Sequence, residues 1–204
     1  MADTAISHGH DSGHGAHVTS TGLSNNKMAM WMFLGSECLL FGGLISTYML
    51  YKGRVNSGPQ PDQIFDIPFT SVSSFVLLMS SLTMVLAVSA AHKRDDRGTN
   101  LWLTVTALLG ATFVGGQVYE FTAFYNEGLG FTTSLFGSSF YTLTGFHGVH
   151  VTVGIIMLLA FVAINKRSRV PGSKSESVEM IGLYWHFVDI VWIIIFTLVY
   201  LIPV

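Results

Sequence analysis

Five long apolar segments run through this sequence, and each is long enough to cross a lipid bilayer. They cover residues 28–51, 68–91, 101–125, 134–164 and 179–202. A helix of about 20 residues, rising about 1.5 Å per residue, spans a hydrocarbon core of about 30 Å. Because lipid cannot satisfy backbone polar groups, segments of this kind must form helices. The sequence therefore predicts an all-α membrane protein with five transmembrane helices.

The composition agrees with this prediction and limits what else the chain can contain. Hydrophobic residues make up 50% of the 204 residues and charged residues 11%, well outside the balance of soluble proteins. We predict one membrane domain at residues 28–204, preceded by a disordered His-rich tail at residues 1–27. The tail's histidines lack the cysteine or carboxylate neighbours of a specific metal site. No basic patch interleaved with aromatic residues indicates nucleic acid binding.

Basic residues fall mainly on one side of the predicted bundle. That side carries Lys27, Lys93, Arg94, Arg97, Lys166, Arg167, Arg169 and Lys174, whereas the other side has only Lys52 and Arg54. Cytoplasmic loops are enriched in Lys and Arg, so the N-terminus is predicted to be cytoplasmic and the C-terminus outside.

Six ionisable residues interrupt the apolar segments at membrane depth. They are Glu37, Glu120, His147, His150, His186 and Asp189. Such groups cannot face lipid cheaply, so we predict that they face the protein interior, and each is a functional candidate. The alternative is that they are hydrogen-bonded interior groups that only fix helix packing. On this second interpretation, His186 would hold the fourth and fifth segments together.

The membrane histidines allow two interpretations of the chemistry. Histidines on different helices can hold haem in a b-type cytochrome, and His147 or His150 opposite His186 would supply such a pair. Oxygen reduction at a haem–copper centre needs more histidine ligands than this chain has, and a binuclear copper site needs two cysteines, whereas Cys38 is the only one. The chain itself is therefore predicted not to hold such a reaction centre, and a haem bound by the histidine pair stays open.

Several long motifs resemble subunit III of the haem–copper terminal oxidases. The resemblance lies in YWHFVDIVWIIIFTLVY of the last segment and TGFHGVHVTVG of the fourth. It extends to GSECLLFGG, DIPFTSVSSFVLLMSS and VYEFTAFYNEGLGFTTSLFGSSFY, in the same order along the chain. Together these motifs cover the sequence from about Met28 to its end.

The resemblance implies a V-shaped helical bundle that holds phospholipid in its cleft, in the bacterial plasma membrane. It implies a non-catalytic subunit that binds no metal and packs against the catalytic subunit I, alongside subunit II, in a proton-pumping complex. The haem and copper of that complex lie in those partners. It also implies support for sustained proton uptake and for stability during turnover. The long form of this family has seven spans, so five spans indicate the shorter bacterial form, which lacks the first two.

The resemblance also assigns positions. Glu37, Glu120, His147, His150, His186 and Asp189 match the buried polar positions of the family's motifs. Arg167 and Arg169 fall where the family has basic groups near lipid phosphates, which suits guanidinium groups, although solvated loop charges are an equal alternative.

The electron donor is open at this point. Phe146, which precedes His147, favours cytochrome c as donor; the same subunit of a quinol oxidase is the alternative. A stand-alone b-type cytochrome, or a proton-coupled transporter that uses Glu37, is a further hypothesis.

Overall fold

The computed structural model describes residues 24–53, 66–167 and 174–202, and these form a helical bundle. The helices are α1 (Asn25–Tyr51), α2 (Ile67–His92), α3 (Asp96–Asn126), α4 (Leu135–Arg167) and α5 (Lys174–Phe196), with a π-helical continuation of α5 at Thr197–Leu201. All five are long and apolar enough to cross a membrane. The predicted all-α class and five spans are confirmed. The V shape, the orientation of the termini and the division into tail and membrane domain stay predictions.

Polar residues set the beginnings of the first three helices. The Ser24 hydroxyl accepts from the backbone of α1, and the Asp66 carboxylate accepts from the backbone N–H of Phe69 at the start of α2. Asp95 accepts from two backbone N–H groups at the start of α3. Side-chain caps of this kind satisfy donors that the first helical turn leaves unpaired. Gly128 follows the end of α3 with φ of +93°, a left-handed conformation that terminates a helix.

Four of the helices form a ring, and α1 packs against it from outside. Within the ring, α2 packs on α3, α3 on α4, α4 on α5, and α5 on α2; α1 packs on α4 and α5. In the most apolar stretch of α1 only 11% of the residues are buried, against 28–44% for the other four helices. Helix α1 is therefore the peripheral element of the bundle.

Two tryptophans of α5 fill the centre of the ring. The indole nitrogens of Trp185 and Trp192 donate to the hydroxyls of Ser80 (3.0 Å) and Ser74 (2.9 Å) on α2. Trp185 lies against two glycines, because a Cβ on Gly110 of α3 would come within 2.5 Å of its ring and one on Gly154 of α4 within 2.8 Å. The two glycines therefore let the backbones of α3 and α4 approach the buried Trp185 ring of α5.

Candidate functional site

Glu37 of α1 and His150 of α4 form a contact between the outer helix and the ring. Glu37 Oε2 lies 3.1 Å from His150 Nε2, and the two side chains are only 13% and 15% exposed. The other ring nitrogen, Nδ1, lies 2.7 Å from the carbonyl oxygen of Phe146. The Tyr184 hydroxyl of α5 donates to the His150 carbonyl at 3.0 Å, so three helices meet at this point.

Donor and acceptor rules fix how many protons the Glu37–His150 contact holds. A carbonyl oxygen only accepts, so His150 Nδ1 must carry a hydrogen. Nε2 then either accepts from a protonated Glu37 or, as part of an imidazolium, donates to the Glu37 carboxylate. In both cases one proton lies between the two side chains and the pair has no net charge. A neutral pair suits the apolar surroundings of α1 and α4.

His147 has different surroundings from His150, although the two are three residues apart. Its ring is fully buried, stacks on Trp192 (centroids 4.9 Å apart, 26° between planes) and meets the edge of Phe113 at 5.9 Å. Neither ring nitrogen has a hydrogen-bond partner among the described residues. His147 is therefore packed as an aromatic ring, and His150 as a hydrogen-bonded group.

His186 of α5 contacts a hydroxyl of α2, and Asp189 lies three residues further along α5. Ser81 Oγ lies 2.7 Å from His186 Nδ1. Asp189 is 4% exposed, and its Oδ1 has no partner within the described residues. His186 thus connects α5 to α2. The expectation that it joins the fourth and fifth segments is wrong, because its ring turns to the α2 side of α5.

Glu120 of α3 is buried against α2. It is 5% exposed, and the Thr70 hydroxyl donates to its Oε1.

The Lys52 side chain, close to the same end of the bundle, lies against the C-terminal end of the last helix. Its Nζ donates to the backbone carbonyls of Leu198 (2.8 Å) and Ile202. The carbonyls at a helix C-terminus attract a cation. Burial lowers the pKa of the Lys52 ammonium from its ordinary value.

The sequence does not mark Lys52 as a candidate functional residue. It appears there only as a basic residue of the first loop. Its position directly after α1 is the one signal that could have identified it.

An ion-pair network ties three helices together at the opposite end. Lys27 Nζ of α1 lies 2.6 Å from Glu179 Oε2 of α5, and His92 Nε2 of α2 lies 3.1 Å from Glu179 Oε1. These groups, at three different helix ends, are brought together by the alternating directions of the helices.

A crevice of about 370 Å³ opens between α1, α2 and α5, next to this network. Lys27 and Glu179 stand at one end of it and His186 lines it deeper in the bundle. Its walls are mainly apolar and include Trp31, Val85, Val88 and Leu183. The crevice thus extends from the ion-pair network to His186, which bonds to Ser81.

The two predicted lipid-binding arginines are only partly described. Arg167 is the last residue of α4 and is exposed, while Arg169 lies outside the described residues. The tail histidines also lie outside them. Among the residues that the structure describes, no group of three or more His, Cys, Asp or Glu side chains could hold a metal ion.

Comparison with known proteins gives a consistent set of similarities. The sequence profile of cytochrome c oxidase subunit III matches residues 4–203. The chain is 41% identical over 177 residues to cytochrome c oxidase subunit 3 of Bacillus sp. (strain PS3), covering 87% of this chain and 86% of that protein. It is 38% identical over 195 residues to quinol oxidase subunit 3 of Bacillus subtilis (strain 168), covering 95% of each. It is also 38% identical over 193 residues to cytochrome bo(3) ubiquinol oxidase subunit 3 of Pseudomonas aeruginosa, covering 95% of this chain and 90% of that protein.

Proposed function

The chain belongs to the cytochrome c oxidase subunit III family and is an integral protein of a bacterial membrane. On this premise we propose that it is a non-catalytic subunit of a proton-pumping haem–copper terminal oxidase. The observation that carries the proposal is the match of the family profile to residues 4–203, nearly the whole chain. In this proposal the chain packs on the catalytic subunit I, with subunit II in the same complex. Haem and copper reside in those partners.

The contacts of the polar residues support a non-catalytic role. Glu37 contacts His150, Glu120 contacts Thr70, and the histidines at positions 147, 150 and 186 have three separate sets of neighbours. A haem in this chain would need two histidines that face a common space. Within the described residues each histidine instead packs or bonds to a different helix pair. This arrangement favours a scaffold over a b-type cytochrome.

The donor to the complex is proposed to be cytochrome c. Phe146 before His147 supports this choice, and the alternative is the same subunit of a quinol oxidase. Relatives of both kinds match at 41% and 38% identity, so the identity values themselves do not separate them.

Lipid in the cleft of the bundle and support of proton uptake complete the proposal. Arg167 is exposed at the end of α4, on the same end as Lys27 and the Lys93–Arg97 turn, where anionic headgroups would meet cationic side chains.

The test is purification of the native complex through a tag on this chain. We expect a haem-bearing partner to copurify, and an absorption band of haem in the complex but none in the isolated chain. The complex should oxidise reduced cytochrome c, and a complex stripped of this chain should lose activity earlier during prolonged turnover. Haem retained by the isolated chain, or a chain that purifies without an oxidase, would contradict the proposal. Oxidation of quinol in place of cytochrome c would overturn only the choice of donor.

A further inference from the structure

We propose that the crevice between α1, α2 and α5 binds the ring of an isoprenoid quinone, with one ring oxygen hydrogen-bonded to Nε2 of His186. This inference goes beyond the function proposed above, because it assigns a ligand to this chain itself, whichever donor feeds the complex. It rests on the walls of the crevice, the charges at its mouth and the hydrogen-bonding capacity of one histidine.

The walls of the crevice suit a planar ring with an apolar tail. Helices α1 and α2 each pack on α5, and the crevice lies between them. Its volume of about 370 Å³ falls within the range of about 300–1,000 Å³ that is usual for small-molecule sites. Its lining is mainly apolar and comes from all three helices, with Trp31, Val85 and Leu183 among the wall residues. The Trp31 indole adds an aromatic surface on which a planar ring can stack.

The mouth of the crevice carries balanced charges. Lys27 Nζ lies 2.6 Å from Glu179 Oε2, and His92 Nε2 lies 3.1 Å from the second oxygen of the same carboxylate. Lys27, the lysine that lines the crevice, is thus already paired within the protein. An anionic headgroup would have to compete with Glu179 for this lysine, so the crevice favours an uncharged ligand.

His186 lies deeper in the crevice than these charges. It follows Glu179 by seven residues on α5, which is about 10 Å along the helix at a rise of about 1.5 Å per residue. Ser81 Oγ lies 2.7 Å from its Nδ1, and Nε2 has no hydrogen bond to any residue that the structure describes. A polar atom without a partner is unfavourable in hydrocarbon. The best ligand therefore brings a hydrogen-bonding atom to this depth.

This requirement separates a quinone from a phospholipid. A phospholipid with its headgroup at the level of Lys27 and Glu179 places only acyl chain about 10 Å deeper. An acyl chain has no donor or acceptor for His186. A quinone ring is uncharged and carries two oxygens on opposite sides, so one oxygen can reach Nε2 while the isoprenoid tail stays against apolar walls.

Ser81 allows His186 to bind either redox form of the ring. A hydroxyl both donates and accepts, and a neutral imidazole carries its hydrogen on one of two nitrogens. When Ser81 donates to Nδ1, Nε2 carries the hydrogen and donates to a quinone carbonyl. When Ser81 accepts from Nδ1–H, Nε2 accepts from a quinol hydroxyl. Binding in this way involves no transfer of electrons.

Photoaffinity labelling of the purified complex that contains this chain tests the site. The probe is a short-chain ubiquinone with an azido group on its ring, added to the complex in phosphatidylcholine nanodiscs and activated by light. We expect mass spectrometry to find labelled peptides of this chain around Trp31, Val85 or His186. Excess decylubiquinone should remove the labelling, whereas excess phosphatidylglycerol should not.

Substitutions show whether the crevice holds the probe. His186→Leu removes the hydrogen bond, and we expect the affinity for the probe to fall about fivefold. His186→Gln keeps an amide that can donate or accept, so its affinity should stay near that of the wild type. Val85→Trp fills the crevice and should abolish the labelling, even if His186→Leu does not assemble. The matched control is Val118→Trp, which adds the same bulk in a groove between α3 and α4 and should leave the labelling unchanged.

Several results would overturn the quinone site. They are labelling confined to the partner subunits, labelling that survives Val85→Trp, equal affinity in the wild type and His186→Leu, and displacement of the probe by phosphatidylglycerol. Any of them would leave the crevice to water or acyl chains. Because the readout is the labelled peptide, it is separate from whether the complex oxidises cytochrome c or quinol.

Discussion

Glu37 and His150 illustrate how one contact between two helices can hold an acid in an apolar environment. The Phe146 carbonyl accepts a hydrogen bond from His150 Nδ1–H, so His150 Nε2 and the Glu37 carboxyl group share one proton. The pair therefore joins α1 to α4 without placing a net charge in the membrane.

Substitutions of Glu37 should separate hydrogen bonding from charge. In Glu37→Gln the amide can still donate to Nε2 of a neutral His150, so retention of α1 and thermal stability of the complex should stay near wild type. Glu37→Leu leaves Nε2 without a partner, and we expect a loss of about 1–3 kcal/mol. Thermal unfolding of the purified complex measures both. Equal losses in the two variants would show that the contact depends on a carboxylate and its charge.

Replacing His147 by an apolar side chain should not destabilise the complex, in contrast to Glu37→Leu. Its ring is fully buried and its nitrogens have no partner among the described residues, so a thioether side chain of similar length removes polar atoms without removing a hydrogen bond. We expect His147→Met to leave the stability of the complex unchanged or raise it slightly. A loss of more than about 1 kcal/mol would show that the ring nitrogens bind a partner in the native complex.

The sequence identified the ionisable residues of the interior but not their partners. Glu37, Glu120 and Asp189 are conspicuous because each breaks an apolar segment, and a carboxyl group in a span demands an explanation. Ser81 and Thr70 are not conspicuous, since Ser and Thr are frequent in spans and commonly bond to their own helix. Which interior group each hydroxyl contacts depends on the rotation of α2 about its axis, and the apolar pattern does not specify that rotation.

At the scale of the helices, the tryptophan face of α5 explains where glycines are required. Gly110 and Gly154 lie directly against the Trp185 ring, whereas a Cβ added to Gly145 of α4 would meet no atom within 4 Å. Trp185 cannot move aside easily, because its indole nitrogen donates to Ser80 at 3.0 Å.

Substitution by alanine should therefore lower the stability of the complex at Gly110 but not at Gly145. Gly110→Ala places a methyl group 2.5 Å from the Trp185 ring, and we expect a loss of about 1–3 kcal/mol from overpacking. Gly145→Ala meets open space and should be neutral or stabilising, because alanine favours a helix over glycine by about 1 kcal/mol. Thermal unfolding of the two variants in the complex is the measurement. Similar losses at both positions would mean that a partner also covers Gly145.

The existence of the helices followed from the sequence, but their ends did not. The third span was expected from residue 101, whereas α3 begins at Asp96, directly after the Asp95 cap. The fifth was expected from residue 179 and α5 begins at Lys174. Hydropathy reports the part of a helix that lies in hydrocarbon, while caps and charged turns extend the helix beyond it.

For the whole molecule, the alternating helices collect the basic side chains at one end. Lys27, Lys93 and Arg97 stand with the ends of α4 and α5 there, as the loop assignment from sequence predicts. The opposite end has Lys52, which is buried under α5 and binds two carbonyls. Lys52 is therefore not an exposed loop charge at that end. Because basic loops are retained in the cytoplasm, the end with Lys27 is predicted to face the cytoplasm.

Thiol labelling of the native complex in intact cells tests this orientation. The chain has one cysteine, Cys38, so a Cys38→Ser background allows single cysteines to be placed in the turns. We expect a membrane-impermeant thiol reagent to label Glu127→Cys, between α3 and α4, in intact cells. Lys93→Cys, between α2 and α3, should be labelled only after the cells are opened. Both positions are exposed, so labelling reports the side of the membrane and not access within the fold. The reverse pattern would place the Lys27–Glu179 network, and with it the mouth of the crevice, on the outer surface.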